Sequence, residues 1–138
     1  MEALTDAGIA LDPALMVPGY FIQTGGRAAT EKLLALPQRP TAIFAASDEM
    51  AFGAIDAIHG KGLRVPEDIS VIGFDDLTTA SHIHPPLTTM RQPLSDISAC
   101  AVSELMELIG GRKPEARKIS LPLELILRKS TGPVPGNR

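Results

Sequence analysis

The sequence predicts an open α/β sheet, in which parallel strands are joined by helices. Compact apolar runs bounded by proline or glycine alternate along the chain with segments of helical periodicity. The runs "AIFAA" (42–46) and "SVIGF" (70–74) are also continuously apolar, which is typical of strands covered on both faces. We therefore expect a parallel sheet with helices on both of its faces.

The first half of the chain contains two predicted helices and one predicted strand. Residues 1–8, "MEALTDAG", have helical character and close on a glycine, which is favoured just after helix ends. The run "MVPGYF" (16–21) is predicted to be extended. Residues 25–36, "GGRAATEKLLAL", have helical spacing that Pro37 stops, and "PTAIFAA" (40–46) is predicted to be a buried strand.

The second half repeats this order. Residues 47–62, "SDEMAFGAIDAIHGKG", are predicted to form a helix with acidic residues at its positive end, and "VPEDISVIGFDD" (65–76) contains the next strand. The segment "PPLTTMRQP" (85–93) is extended, because its prolines exclude helix. Residues 94–109 have the strongest helical periodicity, and "KISLPLELILRKS" (118–130) is extended again.

Composition limits the classes of function. The chain has 138 residues, enough for one domain or part of a larger one, and a net charge of -3 without a basic block, so we do not expect it to bind DNA by itself. No run is long and apolar enough to predict a membrane span, and residues 1–8 do not have the pattern of a secretory leader. The single cysteine, Cys100, excludes an internal disulfide and is expected to be a small buried side chain.

Polar and aromatic side chains follow the predicted strands. Ligands of open α/β sheets bind at the carboxyl ends of the strands. Aromatic rings beside carboxylate, amide and hydroxyl groups suit a small polyhydroxylated ligand. The side chains at these ends are Tyr20, Phe21, Ser47, Asp48, Asp75, Asp76, Arg91 and Gln92.

Several of these side chains also have a structural explanation. Ser47 and Asp48 can cap the following helix. One of Asp75 and Asp76 can accept hydrogen bonds from loop amides, which leaves the other for a ligand. Both interpretations remain open for these four residues.

The other polar and aromatic candidates are open to the same kind of alternative. Tyr20 and Phe21 can close the core, with one ring inward and the other outward, and Arg91 can be a solvated charge. His82 and His84 flank a proline turn and are expected to be solvated or at an interface rather than bound to a metal. Without a phosphate-binding glycine loop or a nucleophile elbow, the sequence predicts no catalytic residues, no metal and no cofactor.

Three linked motifs resemble one family. "SDEMAFGA", "GLRVPEDISVIGFDD" and "PLTTMRQP", followed by "LPLELILRKST", resemble the C-terminal part of LacI/GalR-family transcription regulators over about 8–131. The resemblance implies the periplasmic-binding-protein-like I fold, with two α/β lobes around an effector cleft. It assigns 1–92 to the C-terminal lobe, 93–112 to a helix of the missing N-terminal lobe, 113–131 to a return strand and 132–138 to a flexible tail.

The resemblance also implies an effector site. Asp75 matches the family carboxylate that binds effector hydroxyls or amines. Ser47 stands where many members have asparagine, with a shorter side chain, and Gln92 matches a cleft residue in the segment that crosses between lobes. Tyr20 or Phe21 lies in the region of the aromatic wall.

The remaining assignments are structural or concern an interface. Asp48 and Asp76 are expected to be structural residues near the site. The resemblance places Phe52 and Ile83 at the interface of a homodimer, and we assign the neighbouring His82 to it. Phe52 also lies off the inward face of its helix, so its ring is expected to contact something outside the core.

The function that the resemblance implies is effector sensing and dimerisation in a cytoplasmic DNA-binding regulator without catalytic activity. Operator DNA would be bound only by a missing helix-turn-helix, and sugars are the commonest effectors of the family. A fragment of a periplasmic sugar-binding transport protein is the main alternative, and a hydrolase or kinase is a third. Without its lobe, the apolar helix 94–109 is expected to pack on another copy, exchange between copies or fold back.

Overall fold

The structure, a computed structural model, describes residues 2–111 and 118–136. Its helices and strands alternate through most of the chain, with two short 3₁₀ helices at Pro13–Leu15 and Thr78–Ser81. The other elements are α1 Glu2–Asp6, α2 Gln23–Leu34, β1 Ala42–Phe44, α3 Asp48–Gly60, β2 Ser70–Asp75, β3 Thr88–Arg91, α4 Leu94–Ile109 and β4 Glu124–Ile126.

The four strands form one open sheet in the order β1-β2-β3-β4. β1 and β2 are parallel, as are β2 and β3, with Ile43 opposite Val71 and Ile72 opposite Thr88. β4 is antiparallel to β3. The open α/β fold class is therefore confirmed, and the antiparallel β4 makes the sheet mixed.

Local sequence signals account for the helix that connects β1 to β2. The Ser47 hydroxyl accepts a hydrogen bond from the Met50 amide at 3.2 Å, and acidic residues occupy the first turn of α3. After the helix ends, Gly62 has a φ of 71°, a left-handed conformation that glycine adopts without strain. These signals are short-range, which is why the sequence predicted this helix well.

The core lies between the sheet and the helices α2 and α3, and its buried residues include Leu33 of α2. Helix α2 also packs against α3. Ile55, Ile58 and Val71 are buried within the core. Phe52 is also buried, with 8% of its surface exposed, and belongs to the same core cluster. The expectation that the Phe52 ring lies outside the core is therefore wrong, and its place at a dimer interface stays a prediction.

Two glycines let α2 and α3 approach closely. A Cβ atom on Gly26 would lie 2.6 Å from the Met50 Cα, and one on Gly53 would lie 2.7 Å from the Arg27 amide nitrogen. Real Cβ contacts are longer than this, so side chains at these two positions would push the helices apart. The α2–α3 contact thus depends on residues without side chains.

The face of the sheet opposite α3 is partly exposed. Ile43 of β1 is buried, but its neighbour Phe44 is 63% exposed, and Leu125 of β4 is 48% exposed. This differs from the expectation of helices on both faces, since within the described ranges only the α3 side is well covered. Continuous hydrophobicity in β1 and β2 therefore marks two apolar faces, of which one has a helix packed against it.

Helix α4 has the bounds that its periodicity predicted, and none of its residues is buried. Its apolar stripe is exposed, so local folding back, one of the three expectations for this helix, is not what the structure has. Cys100 is only partly buried, not enclosed as expected. The predicted change from helix to return strand falls at 112–117, outside the described residues, as do 137–138 of the predicted tail.

Candidate functional site

The carboxyl ends of β2 and β3 bring two predicted site residues together. Asp75 ends β2, and Gln92 directly follows β3. The Gln92 Nε2 atom donates a hydrogen bond of 2.6 Å to Asp75 Oδ1, and both residues are partly buried. A carboxylate has several lone pairs and an amide has both donors and acceptors, so this pair can bind ligand hydroxyls from two directions.

The backbone at Asp75 and Asp76 is unusual for residues with side chains. Their φ angles are 120° and 59°, in the region that favours glycine. Two consecutive residues of this kind turn the chain sharply at the end of β2. The adjacent carboxylates consequently reach different partners, Gln92 for Asp75 and two arginines for Asp76.

Asp76 is enclosed by ion pairs. Its side chain is 8% exposed and accepts hydrogen bonds from Arg91 Nε at 2.7 Å and Arg128 Nη2 at 2.6 Å. Burial acts to raise the pKa of this carboxyl, but the hydrogen bonds and charges of Arg128 and Arg91 outweigh it and lower the pKa. These contacts fit the structural role expected for Asp76, and Arg91 is an ion-pair partner rather than a solvated charge.

The lowered pKa of Asp76 predicts a pH dependence of stability. A carboxyl with a depressed folded-state pKa stabilises the fold above its ordinary value of 3.8, and that stability is lost as the pH falls through the folded-state pKa. We expect the free energy of unfolding of Asp76→Asn to depend less on pH below about 4 than that of the unaltered protein. Denaturant unfolding from pH 3 to 7 measures this, and parallel curves for the two proteins would contradict it.

The side chains of Ser47 and Asp48 make hydrogen bonds within the fold. Ser47 is 6% exposed and caps α3, while Asp48 is fully buried. The Asp48 carboxylate accepts from the Leu77 amide at 2.7 Å and from Thr89 Oγ1 at 2.6 Å. Burial raises the pKa of Asp48 against the lowering effect of these two hydrogen bonds. Asp48 thus ties α3 to the loop after β2 and to β3, as a structural residue would.

Tyr20 and Phe21 are both exposed, by 77% and 67%. They lie in a turn with φ angles of 55° and 59°, not in an extended run. The expectation that one ring points inward is wrong, because both rings lie on the surface of this turn. Their place in an aromatic wall stays a prediction.

His82 and Ile83, which were assigned to a dimer interface, lie in different environments. The His82 Nδ1 atom lies 2.8 Å from the Thr78 carbonyl oxygen, on an exposed 3₁₀ turn, and Ile83 packs partly against the core. In the described ranges no three histidine, cysteine, aspartate or glutamate side chains are grouped as a metal site would require. The interface role of His82 and Ile83 stays a prediction.

A cavity of about 370 Å³ lies elsewhere, between residues 15–18, α2 and β1. Its walls are mostly apolar and include Leu15, Val17, Leu33 and Ile43. Neither Asp75 nor Gln92 lines it, so the cavity is separate from the candidate effector site.

Arg128 was not identified from the sequence as a site residue. It lies in the extended segment after β4, where an arginine directly after the apolar residues "LIL" (125–127) is the signal that could have pointed to it. Arg128 is far from Asp76 in the sequence, and only the fold brings the two side chains together.

The chain is similar to known regulators over nearly its whole length. Residues 2–131 match a family model described as the periplasmic binding protein-like domain. The HTH-type transcriptional repressor PurR of Pasteurella multocida is 42% identical over 130 residues, which cover 94% of this chain and 39% of that protein.

Solved structures give the same result. A regulatory protein of the LacI family from Chloroflexus aggregans matches with a TM-score of 0.83 and 36% identity, covering 95% of this chain and 47% of that one. A complex of the transcriptional regulator CelR with cellobiose matches with a TM-score of 0.87 and 37% identity, covering 94% of this chain and 39% of that one.

These matches confirm the family predicted from the linked motifs. They also agree with the observed topology, an open α/β sheet with polar side chains at the carboxyl ends of its strands. No helix in the described part of the chain combines the length and the apolarity needed to cross a membrane. The chain spans 39% of the length of the PurR relative, which places the match in one part of such a protein. The chain therefore belongs to the periplasmic binding protein-like domain family and corresponds to part of the effector-binding domain of LacI-family repressors.

Proposed function

We propose that this chain is the effector-sensing and dimerising portion of a cytoplasmic DNA-binding transcription regulator, and that its effector is a sugar. The observation that carries the proposal is the hydrogen-bonded pair of Asp75 and Gln92 at the carboxyl ends of adjacent parallel strands. That edge is where open α/β sheets bind ligands. The names of the relatives, which are transcriptional repressors and regulators, support this function over transport.

A sugar suits the chemistry of the pair. The Asp75 carboxylate accepts hydrogen bonds from hydroxyl groups, and the Gln92 amide both donates and accepts. Similar structures are named as a cellobiose complex and as a regulator with bound sucrose. The residues of this chain form one wall of the proposed cleft, and the second lobe would supply the other.

The proposed mechanism is conformational. A sugar that binds the closed arrangement of two lobes more tightly than the open one shifts the protein towards closure. Closure changes the placement of the DNA-binding heads, so the affinities for sugar and operator are coupled reciprocally. The regulator performs no chemistry on its effector.

The DNA sequence upstream of the Met1 codon tests the regulator function directly. The proposal expects an in-frame second lobe preceded by a helix-turn-helix. A signal peptide in place of the helix-turn-helix would instead indicate an extracytoplasmic transport receptor. An unrelated reading frame joined to this chain would contradict both.

A homodimer is the second part of the proposal, and α4 predicts how the 138-residue chain behaves alone. Six large apolar side chains of α4 are more than half exposed: Leu94, Val102, Leu105, Met106, Leu108 and Ile109. Exposed apolar surface of this extent favours association. We expect light scattering after gel filtration to give a mass above the 14.6 kDa of one chain.

A matched pair of α4 variants tests whether the stripe causes association. Leu105→Glu places a charge in the stripe and should shift the protein towards the monomer. Ser103→Glu places the same charge on the opposite side of the helix and should leave the mass unchanged. A monodisperse monomer in the unaltered chain, with α4 still helical, would contradict the prediction.

A further inference from the structure

We propose that Arg128 is a positioning residue for the effector site: through Asp76 it holds the turn that aims the Asp75 carboxylate at Gln92. The inference rests on the proposed function, in which Asp75 binds the effector. Arg128 itself does not contact Asp75 in this arrangement but acts on it through the neighbouring residue.

The turn needs an external hold because its backbone is strained. Non-glycine residues at the φ angles of Asp75 and Asp76, 120° and 59°, persist only where the surrounding structure fixes them. The contacts that fix the turn are therefore also the contacts that decide where the Asp75 side chain lies.

The first residue that fixes the turn is Arg128, which binds Asp76. Its Nη2 atom donates to Asp76 Oδ1 at 2.6 Å, and its Nη1 atom donates to the Leu87 carbonyl oxygen at 2.7 Å. Its backbone amide also donates to Thr88 Oγ1 at 3.0 Å. Arg128 is thus anchored at both ends to the beginning of β3 and presents a fixed guanidinium group to Asp76.

Arg91 also binds Asp76, but it restrains the Asp76 side chain less than Arg128 does. Its side chain is 48% exposed, compared with 17% for Arg128, and it divides its donors between Asp76 and the exposed Glu124. Solvent screens an exposed ion pair and its side chains lose entropy when they are fixed. Of the two arginines, Arg128 is therefore the one that can fix the turn.

The second residue that fixes the turn is Asp48, which binds Leu77. Its Oδ2 atom accepts from the amide of Leu77, the residue after the turn, and its Oδ1 atom accepts from Thr89. The buried Asp48 carboxylate thus binds the residue after the turn, and the Arg128 guanidinium binds Asp76 within it. The Asp75 side chain, bonded to Gln92, is the part of the turn left to face a ligand.

Two variants test the inference by solution NMR. Arg128→Met keeps the aliphatic stem but removes the guanidinium, and Asp76→Gly removes the carboxylate while glycine adopts a φ of 59° without strain. In both, we expect loss of the hydrogen-bonded Gln92 side-chain amide resonance and altered backbone couplings at residue 75. Lys129→Met, a change at the next, exposed residue, should leave both signals intact.

The melting temperature separates positioning from general stability. Asp76→Gly should melt at a lower temperature, because it leaves the mostly buried Arg128 guanidinium without its ion-pair partner. Below that temperature the folded variant should still lack the Gln92 resonance, and adding Arg128→Met should cause no further loss of that signal. If Arg128→Met does not fold, Asp76→Gly carries the test. Retention of the Gln92 resonance in a folded Asp76→Gly or Arg128→Met variant, or its loss in Lys129→Met, would overturn the inference.

The NMR signals need no effector, so they are independent of the proposed function. Titration of the unaltered protein, together with any upstream lobe, with cellobiose and sucrose tests sugar sensing separately. An intact Gln92 resonance that depends on Arg128, with a sugar response that does not depend on Asp75, would reject the effector site while leaving the Arg128 contact in place.

Discussion

Replacing Asp75 by alanine is expected to weaken effector binding by about 100-fold in the intact regulator. A hydrogen bond to a charged group contributes about 1.5–3 kcal/mol, and each 1.4 kcal/mol is a factor of ten in affinity. The change also leaves the Gln92 amide without the acceptor that orients it. Calorimetric titration with a sugar that binds the unaltered protein measures the loss, and a reporter gene under the operator measures the loss of response.

Two further variants serve as comparisons for Asp75→Ala. Asp75→Asn keeps the shape of the side chain but removes its charge, so we expect an intermediate loss of about tenfold. Asp96→Ala removes an exposed carboxylate from the first turn of α4 and should leave effector affinity unchanged. Unchanged effector binding by Asp75→Ala would reject Asp75 as the effector carboxylate.

Replacing Gly53 by alanine is expected to lower the free energy of unfolding by about 3 kcal/mol, the upper range for an added group in a packed core. The new Cβ would collide with the carbonyl oxygen of Gln23 and lie 2.7 Å from the Arg27 amide nitrogen. These atoms belong to the backbone of α2, so they cannot rotate away as a side chain does. Relief requires the two helices to separate, which exposes the buried Ala29 and Leu33 of α2.

Gly60 provides the matched control because it lies in the same helix. A Cβ on Gly60 meets no atom within 4 Å, and alanine has a higher helix propensity than glycine. Gly60→Ala should therefore unfold at the same denaturant concentration as the unaltered protein, or a higher one. Similar midpoints for Gly53→Ala and Gly60→Ala would show that the α2–α3 contact tolerates side chains.

Elements with short-range signals could be predicted from the sequence. The bounds of α4 followed from Pro93 before the helix and two glycines after it, and the start of α3 followed from the cap at Ser47. The parallel pairing of β1 and β2 followed from the helix between them. The antiparallel direction of β4 did not, because an extended apolar run pairs in either direction.

The features that the sequence did not predict depend on distant contacts or rare conformations. Phe52 is buried in the core cluster although it lies off the inward face of α3, which the helical periodicity of α3 alone cannot indicate. The left-handed backbone of Tyr20 and Phe21 occurs without glycine, so no residue type signals it. Asp75 and Gln92 could be placed at one edge of the sheet, but the arginine that binds the neighbouring aspartate could not.

The Ser130 hydroxyl has a consequence for the order in which the protein folds. It donates to the Val71 carbonyl oxygen at 2.6 Å and accepts from the Thr88 amide at 2.8 Å, joining β2 and β3 across 59 and 42 residues of sequence. During translation, this link and the Arg128 contact cannot form until the ribosome has released a segment made well after both strands. A chain arrested before that segment would lack both contacts, so the turn that carries Asp75, the proposed effector residue, is completed only late in synthesis.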